Sequence, residues 1–169
     1  LSLPVPRQER EPGQAPGCRY FPETGHTARD SFLQFWERTP DALRVLGYPI
    51  SEPFVAESFT NPGALYRVQF FERAILEEHP ENAGTRFYVL GRLLGARLAA
   101  ARQAEPAFQP VADPGDGTYD ALTGHTLRDG PAPFRSYWQG NGGLEVFGRP
   151  LSEQFQETNQ ADGQVYWVQ

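Results

Sequence analysis

Residues 24–30 read TGHTARD, and residues 123–129 read TGHTLRD. Two of the chain's 3 histidines, His26 and His125, hold the same place in these two phrases. The recurrence is either a duplicated scaffold or a duplicated reactive centre, and the flanking residues weigh on the choice. Tyr20 answers to Tyr119 upstream. Downstream, Phe32, Phe35 and Trp36 answer to Phe134, Tyr137 and Trp138, after the second segment takes in GPAP at 130–133. The block VLGYPISEPF (45–54) answers to VFGRPLSEQF (146–155), and Gly63, Tyr66, Val68 and Gln69 answer to Gly163, Tyr166, Val168 and Gln169. Ordered blocks at a nearly constant offset mark a repeated supersecondary unit. The residues that recur are then those that such a unit cannot vary.

The two segments differ after the matched glutamines. Gln69 is followed by FFERAILEEHPENAGTRFYVLGRLLGARLAAARQ, and nothing equivalent follows Gln169. An amphipathic element without its cover leaves apolar surface in water, at about 25 cal/mol per Å². The second segment is therefore expected to be covered by a continuation of the protein, by another part of this chain or by a neighbouring molecule.

Composition bounds the setting. At 169 residues, 39% of them hydrophobic, the chain suffices for one ordinary domain or two small ones. A net charge of −6 leaves no broad basic surface and disfavours a nucleic-acid partner. No apolar run is long enough to span a membrane, and the first residues lack the apolar centre of a secretory signal. Every basic residue is arginine. High genomic GC content or a thermophilic source would do this, although the broad thermophile signal is enrichment in lysine and glutamate. The single Cys18 has no internal disulfide partner and leaves a free thiol, an intermolecular bridge or lipid attachment open.

The punctuation predicts an extended linker or tail over 1–17, a first module over 18–103, a linker over 104–118 and a second, partial module over 119–169. Within the first module, SFLQFWER spaces Phe32, Phe35 and Trp36 along one helical face, with Asp30 or Ser31 placed to cap it. Pro49 and Pro53 make LGYPISEPF a tight loop. Alternation in ALYRVQFF predicts a strand, with AILEE returning as its hairpin partner. Phe87, Leu90, Leu94 and Leu98 fall near helical spacing after Thr85, predicting a helix that covers this hairpin. The expected class is α+β: two related small modules, each a short helix plus a β-hairpin, the first covered by a C-terminal helix and the second incomplete.

These residues resemble a known repeat. The run YFPETGHT, FLQFWE, VLGYPISEPF and YRVQFFERAILEEHPENAGT is similar to a unit found, often in tandem, in secreted and surface proteins of green non-sulfur bacteria. It is more distantly similar to the LGFP repeats of cell-wall-associated proteins, through LGYP and FGRP. The resemblance covers about residues 18–100 and, in part, 119–169. It implies an extracellular or cell-surface, noncatalytic module with cell-wall or surface polysaccharide, or other surface protein subunits, as partners. It supplies no ligand-binding residue. The sequence departs from the tandem form at Thr39-Pro40-Asp41-Ala42, where the second segment has Gly142-Gly143.

Chemistry has several candidates. His26 and His125 could serve acid–base work or a metal, or act as turn histidines bonded to backbone or carboxylate. Glu72, Glu77, Glu78, His79 and Glu81 concentrate carboxylates for a hydrolase pair or a cation, but on a strand Glu77 and Glu78 face opposite sides. Asp113, Asp116 and Asp120 loosely suggest a calcium loop without its spacing. Trp36, Trp138 and Trp167 offer flat faces for sugar rings or partner anchors, the first two on the expected buried helix faces. No zinc, nucleotide or serine-hydrolase motif occurs. The reading is a noncatalytic module without cofactor or metal, with a structural subunit completed by a neighbouring chain, or an unrecognised hydrolase, as alternatives.

Overall fold

A computed structural model describes residues 16–59 and 61–169, so the expected linker at 1–17 lies, up to residue 15, outside the described residues. The chain divides between Arg92 and Leu93 into two compact units. The fold is α+β.

In the first unit, β1 (Cys18–Phe21) and β2 (His26–Arg29) form an antiparallel hairpin closed by the Gly25 amide donating to the Phe21 carbonyl at 2.8 Å. Gly25 has a φ of 74°, a left-handed conformation that glycine adopts without strain. Helix α1 (Asp30–Arg38) buries Phe32 and Phe35 of the expected face, while Trp36 is only half-buried and Leu33, outside that face, is buried as well. Neither expected capping side chain caps it. Asp30 instead pairs with Arg67 at 3.2 Å, and the Ser31 hydroxyl donates to Glu78. Short α2 (Ala42–Val45) comes next, then a four-stranded antiparallel sheet in the order β3 (Phe54–Glu57), β4 (Leu65–Phe70), β5 (Ile75–Glu78), β6 (Val89–Gly91). The β4–β5 hairpin is the one that alternation predicts.

Residues 85–92 depart from the expected helix. Tyr88, Val89 and Leu90 favour a pleated, half-buried strand, and β6 takes the edge beside β5 with Leu76 opposite Gly91. The Arg92 side chain fastens this edge, binding Glu77 and donating to the Glu57 carbonyl at 2.6 Å. Thus β5 and β6, not a helix, extend the sheet beyond β4.

The helix that does form, α3 (Leu94–Ala99), belongs to the second unit. There β7 (Tyr119–Asp120) pairs with β8 (His125–Thr126), α4 (Phe134–Gly140) and α5 (Gly143–Phe147) come after them, and β9 (Phe155–Thr158) pairs with β10 (Val165–Val168). Residues 104–118, expected as a linker, dock within this unit: Phe108 is buried, lies 5.4 Å from the Phe155 ring, and shares the Arg102 guanidinium with it. Proline and glycine break regular structure without preventing an aromatic from anchoring the segment.

The same hydrogen bonds occur at matched positions of the two units. Gln69 Nε2 donates to the Thr27 carbonyl at 2.9 Å and the Ser51 carbonyl at 2.8 Å; Gln169 Nε2 donates to the carbonyls of Thr126 and Ser152. Trp36 Nε1 donates to the Gly47 carbonyl at 2.9 Å, and Trp138 Nε1 to the Gly148 carbonyl at 2.9 Å. The Thr27 and Thr126 amides donate at 2.8 Å to Glu52 and Glu153. Where the sequences differ, the replacements are paired. Phe21 lies 5.9 Å from Tyr48 in the first unit; the matched Asp120 and Arg149 form an ion pair at 2.5 Å.

Two predictions test this frame. Gln69→Leu removes both donors from buried carbonyls and is expected to destabilise the first unit by about 2–3 kcal/mol, read by urea denaturation. Burial pushes the Asp120 carboxyl up, but Arg149 and the amides of Leu122 and Thr123 outweigh it and hold it below its ordinary 3.8. Its folded pKa is depressed, so its contribution is present above 3.8 and is lost as pH falls through the lower folded value. Arg149→Gln should make the second unit's stability less dependent on pH between about 5 and 2, followed by hydrogen exchange across 119–126.

Candidate functional site

The candidate side chains fall into spent and available groups. His26 is 4% exposed, with Nδ1 3.7 Å from Glu52 Oε1; His125 is 4% exposed, with Nδ1 3.4 Å from Glu153 Oε1. Neither Nδ1 makes a hydrogen bond of good geometry. Each glutamate is already engaged: Glu52 takes the Thr27 amide and Arg29 at 3.1 Å, and Glu153 takes the Thr126 amide and hydroxyl. These imidazoles sit inside a hairpin-to-loop brace. The aromatic hosts Trp36 and Trp138 are half-buried and tied to carbonyls, whereas Trp167 on β10 is 39% exposed.

The acidic run is spent in the same way. Glu77 and Glu78 point to opposite faces of β5, as alternation requires. Glu77 binds Arg92 and lies 3.4 Å from His79 Nε2, while Glu78 meets Arg67 at 2.9 Å and Ser31. His79 Nδ1 bonds Glu81 at 2.8 Å. In the loop ahead of β7, Asp113 takes the Gly115 amide and Asp116 takes the Thr118 amide and hydroxyl, while Asp120, on β7 itself, takes Arg149. Among the described residues no group of three or more His, Cys, Asp or Glu is arranged to hold a metal ion. No helix among them is long and apolar enough to cross a membrane.

The available surface is a cleft of about 460 Å³ in the second unit. Its apolar walls come from Leu98, Phe134, Tyr137, Phe147, Leu151 and Val168. Four of these match residues that are core in the first unit: Phe134 to Phe32, Tyr137 to Phe35, Phe147 to Leu46 and Val168 to Val68. The first-unit residues are all buried, with Leu46 2% exposed, whereas Phe147 is 38% exposed and α4 buries no residue. The difference arises beyond the matched glutamine. After Gln69 the chain runs back along 46–50: the Ile50 amide donates to the Phe70 carbonyl at 2.9 Å, the Glu72 amide to the Tyr48 carbonyl at 3.0 Å, and the Arg73 amide to the Leu46 carbonyl at 3.0 Å. These bonds have no counterpart at Leu151, Arg149 and Phe147 among the described residues.

A matched glycine pair reports the same contrast. Gly47 and Gly148 both have a positive φ, 77° and 73°. A Cβ on Gly47 would lie 2.5 Å from Glu72 Oε2, whereas one on Gly148 would meet nothing within 4 Å. The sequence predicts an uncovered second segment, but it does not reveal that 94–108 form part of the cleft's surroundings. Leu94 and Leu98 carry the signal, and their spacing points to the wrong hairpin.

No protein-family model, curated protein or solved structure matches this chain.

The glycine pair gives a direct test. Both alanine substitutions place a Cβ at positive φ, a strain of about 1–3 kcal/mol each. Only Gly47→Ala also collides with the Glu72 side chain, which should add about 1–2 kcal/mol to its cost in chemical denaturation.

Proposed function

We propose that this protein is a noncatalytic interaction module of an extracellular or cell-surface protein. The observation that carries the reading is the division of its side chains. The recurring glutamine, tryptophan and glutamate side chains of both segments are engaged in internal bonds and the recurring histidines are buried, while the second unit presents an aromatic-lined apolar cleft to solvent. A hydrolase needs a nucleophile or acid–base pair converging on open space; His26 and His125 are instead buried against glutamates that brace their own hairpins. Apolar clefts with a few polar groups at the rim take ligands or partner side chains. The resemblance of the repeated phrases to units of secreted and cell-wall-associated proteins supports the location.

A second reading rests on Tyr166 and Trp167, which are 47% and 39% exposed on β10 and offer ring faces to surface polysaccharide. The experiment is a binding panel of cell-wall polysaccharides and envelope proteins run beside a hydrolysis assay on the same polysaccharides. Retention of a protein or polysaccharide, weakened about tenfold or more by Phe147→Arg or Trp167→Ala and unaccompanied by turnover, is the expected result. Turnover abolished by His26→Gln or His125→Gln with folding intact would overturn it.

A further inference from the structure

We infer that the cleft of the second unit accepts a polypeptide hairpin built like Phe70–Arg92, which adds strands to the free edge of β10. This deepens the interaction-module reading and rests on it. The chain supplies its own template. In the first unit, β5 pairs with β4 with Leu76 opposite Gln69 and Ile75 opposite Phe70, and both Leu76 and Ile75 are buried. In the second unit, among the described residues, β10 pairs only with β9, giving a two-stranded sheet where the first has four strands. The unpaired backbone edge, the apolar cleft beside it and the open space at Gly148 mark successive parts of one path: along 147–151, through a turn, and back beside β10. Strand addition of this kind takes affinity from main-chain bonds and specificity from alternate side chains.

A second copy of this chain does not balance the requirement. These 169 residues contain two strand-accepting faces and one hairpin of the covering pattern, and that hairpin already covers the first face. Exchange of hairpins between copies leaves as many open faces as before. The occupant is therefore a hairpin from outside the described residues, carried by a partner polypeptide.

The surroundings also set its chemistry. Glu78 of the template is neutralised by Arg67 and bonded by Ser31. The position matched to Arg67 holds Trp167, and the residue directly before Phe134, as Ser31 is directly before Phe32, is Pro133; neither offers charge or hydroxyl. A carboxylate brought there would be partly desolvated without a partner. The segment thus carries a neutral, apolar side chain where the template has Glu78, while keeping an aromatic start, a tight turn and alternate apolar residues.

The probe is a synthetic peptide with the sequence of residues 70–92, alongside its Glu78→Val and Leu76→Asp variants and a scrambled control. Hydrogen exchange of the whole chain is followed with and without peptide. The expected result is exchange slowed about tenfold or more at the β10 amides of Val165–Val168, with β4 and β5 unchanged. Glu78→Val should bind several-fold tighter than the parent, Leu76→Asp and the scrambled peptide should fail, and Phe147→Arg in the chain should weaken binding about tenfold. Absence of slowing at β10 up to roughly millimolar peptide overturns the inference, as does slowing that comes with loss of protection at β4 and β5. Concentration-dependent self-association that protects β10 without peptide overturns it in favour of a second copy. Failure of every peptide with polysaccharide retention intact rejects the hairpin and leaves the interaction module standing.

Discussion

Each unit depends on one side-chain amide, fully buried in the first unit and part of a half-buried residue in the second. The side-chain nitrogen of Gln69 donates to two carbonyls at once, Thr27 in the first hairpin and Ser51 in the proline loop, and Gln69 itself lies on a sheet strand with no exposed surface. Three pieces of chain far apart in sequence are thereby held at one point. Desolvating an amide is costly unless its hydrogens are satisfied, so the geometry of all three pieces is constrained together. The same bonds from Gln169 explain why a glutamine recurs at a site where packing alone would favour an apolar residue.

Around that clamp the two units solve the same problems with different groups. The first closes its hairpin with aromatic contacts among Phe21, Trp36 and Tyr48, and the second with the Asp120–Arg149 pair. The first holds Asp30 with Arg67; the second turns the matched Asp129 onto the Ser136 amide at 2.9 Å, at the start of α4. Changes on both sides of a contact at once show that the backbone arrangement is what is preserved, and that side-chain chemistry is free where its partner changes with it.

Much of this is legible in the sequence, and the reason is physical. Features set by local bonding, such as the aromatic face of α1, the proline loop and the β4–β5 alternation, leave a period or a breaker that can be read directly. The placement of residues 85–108 is not legible. Phe87, Leu90, Leu94 and Leu98 satisfy helical spacing, yet the first pair belongs to the run into a strand edge and the second to a helix of the other unit. What separates them is Arg92, whose long-range bonds to Glu77 and Glu57 no local pattern reveals. The capping expectation fails for a similar reason: Asp30 and Ser31 are recruited by Arg67 and Glu78, partners distant in sequence.

The cleft obeys the same logic of satisfied and unsatisfied groups. In the first unit the covering strands bring two carboxylates, Glu77 and Glu78, into a nearly dry environment, and each is tolerated because an arginine comes with it. One of those arginines, Arg92, is part of the cover, while the other, Arg67, is part of the surface being covered. The second unit has tryptophan at the latter position, so its surface has lost the cation that would hold a buried carboxylate while keeping the apolar wall and the strand edge. The two surfaces share aligned apolar residues and a strand, and differ in the cation beside them. A segment that carries a carboxylate at the Glu78 position is therefore favoured on the first surface and penalised on the second.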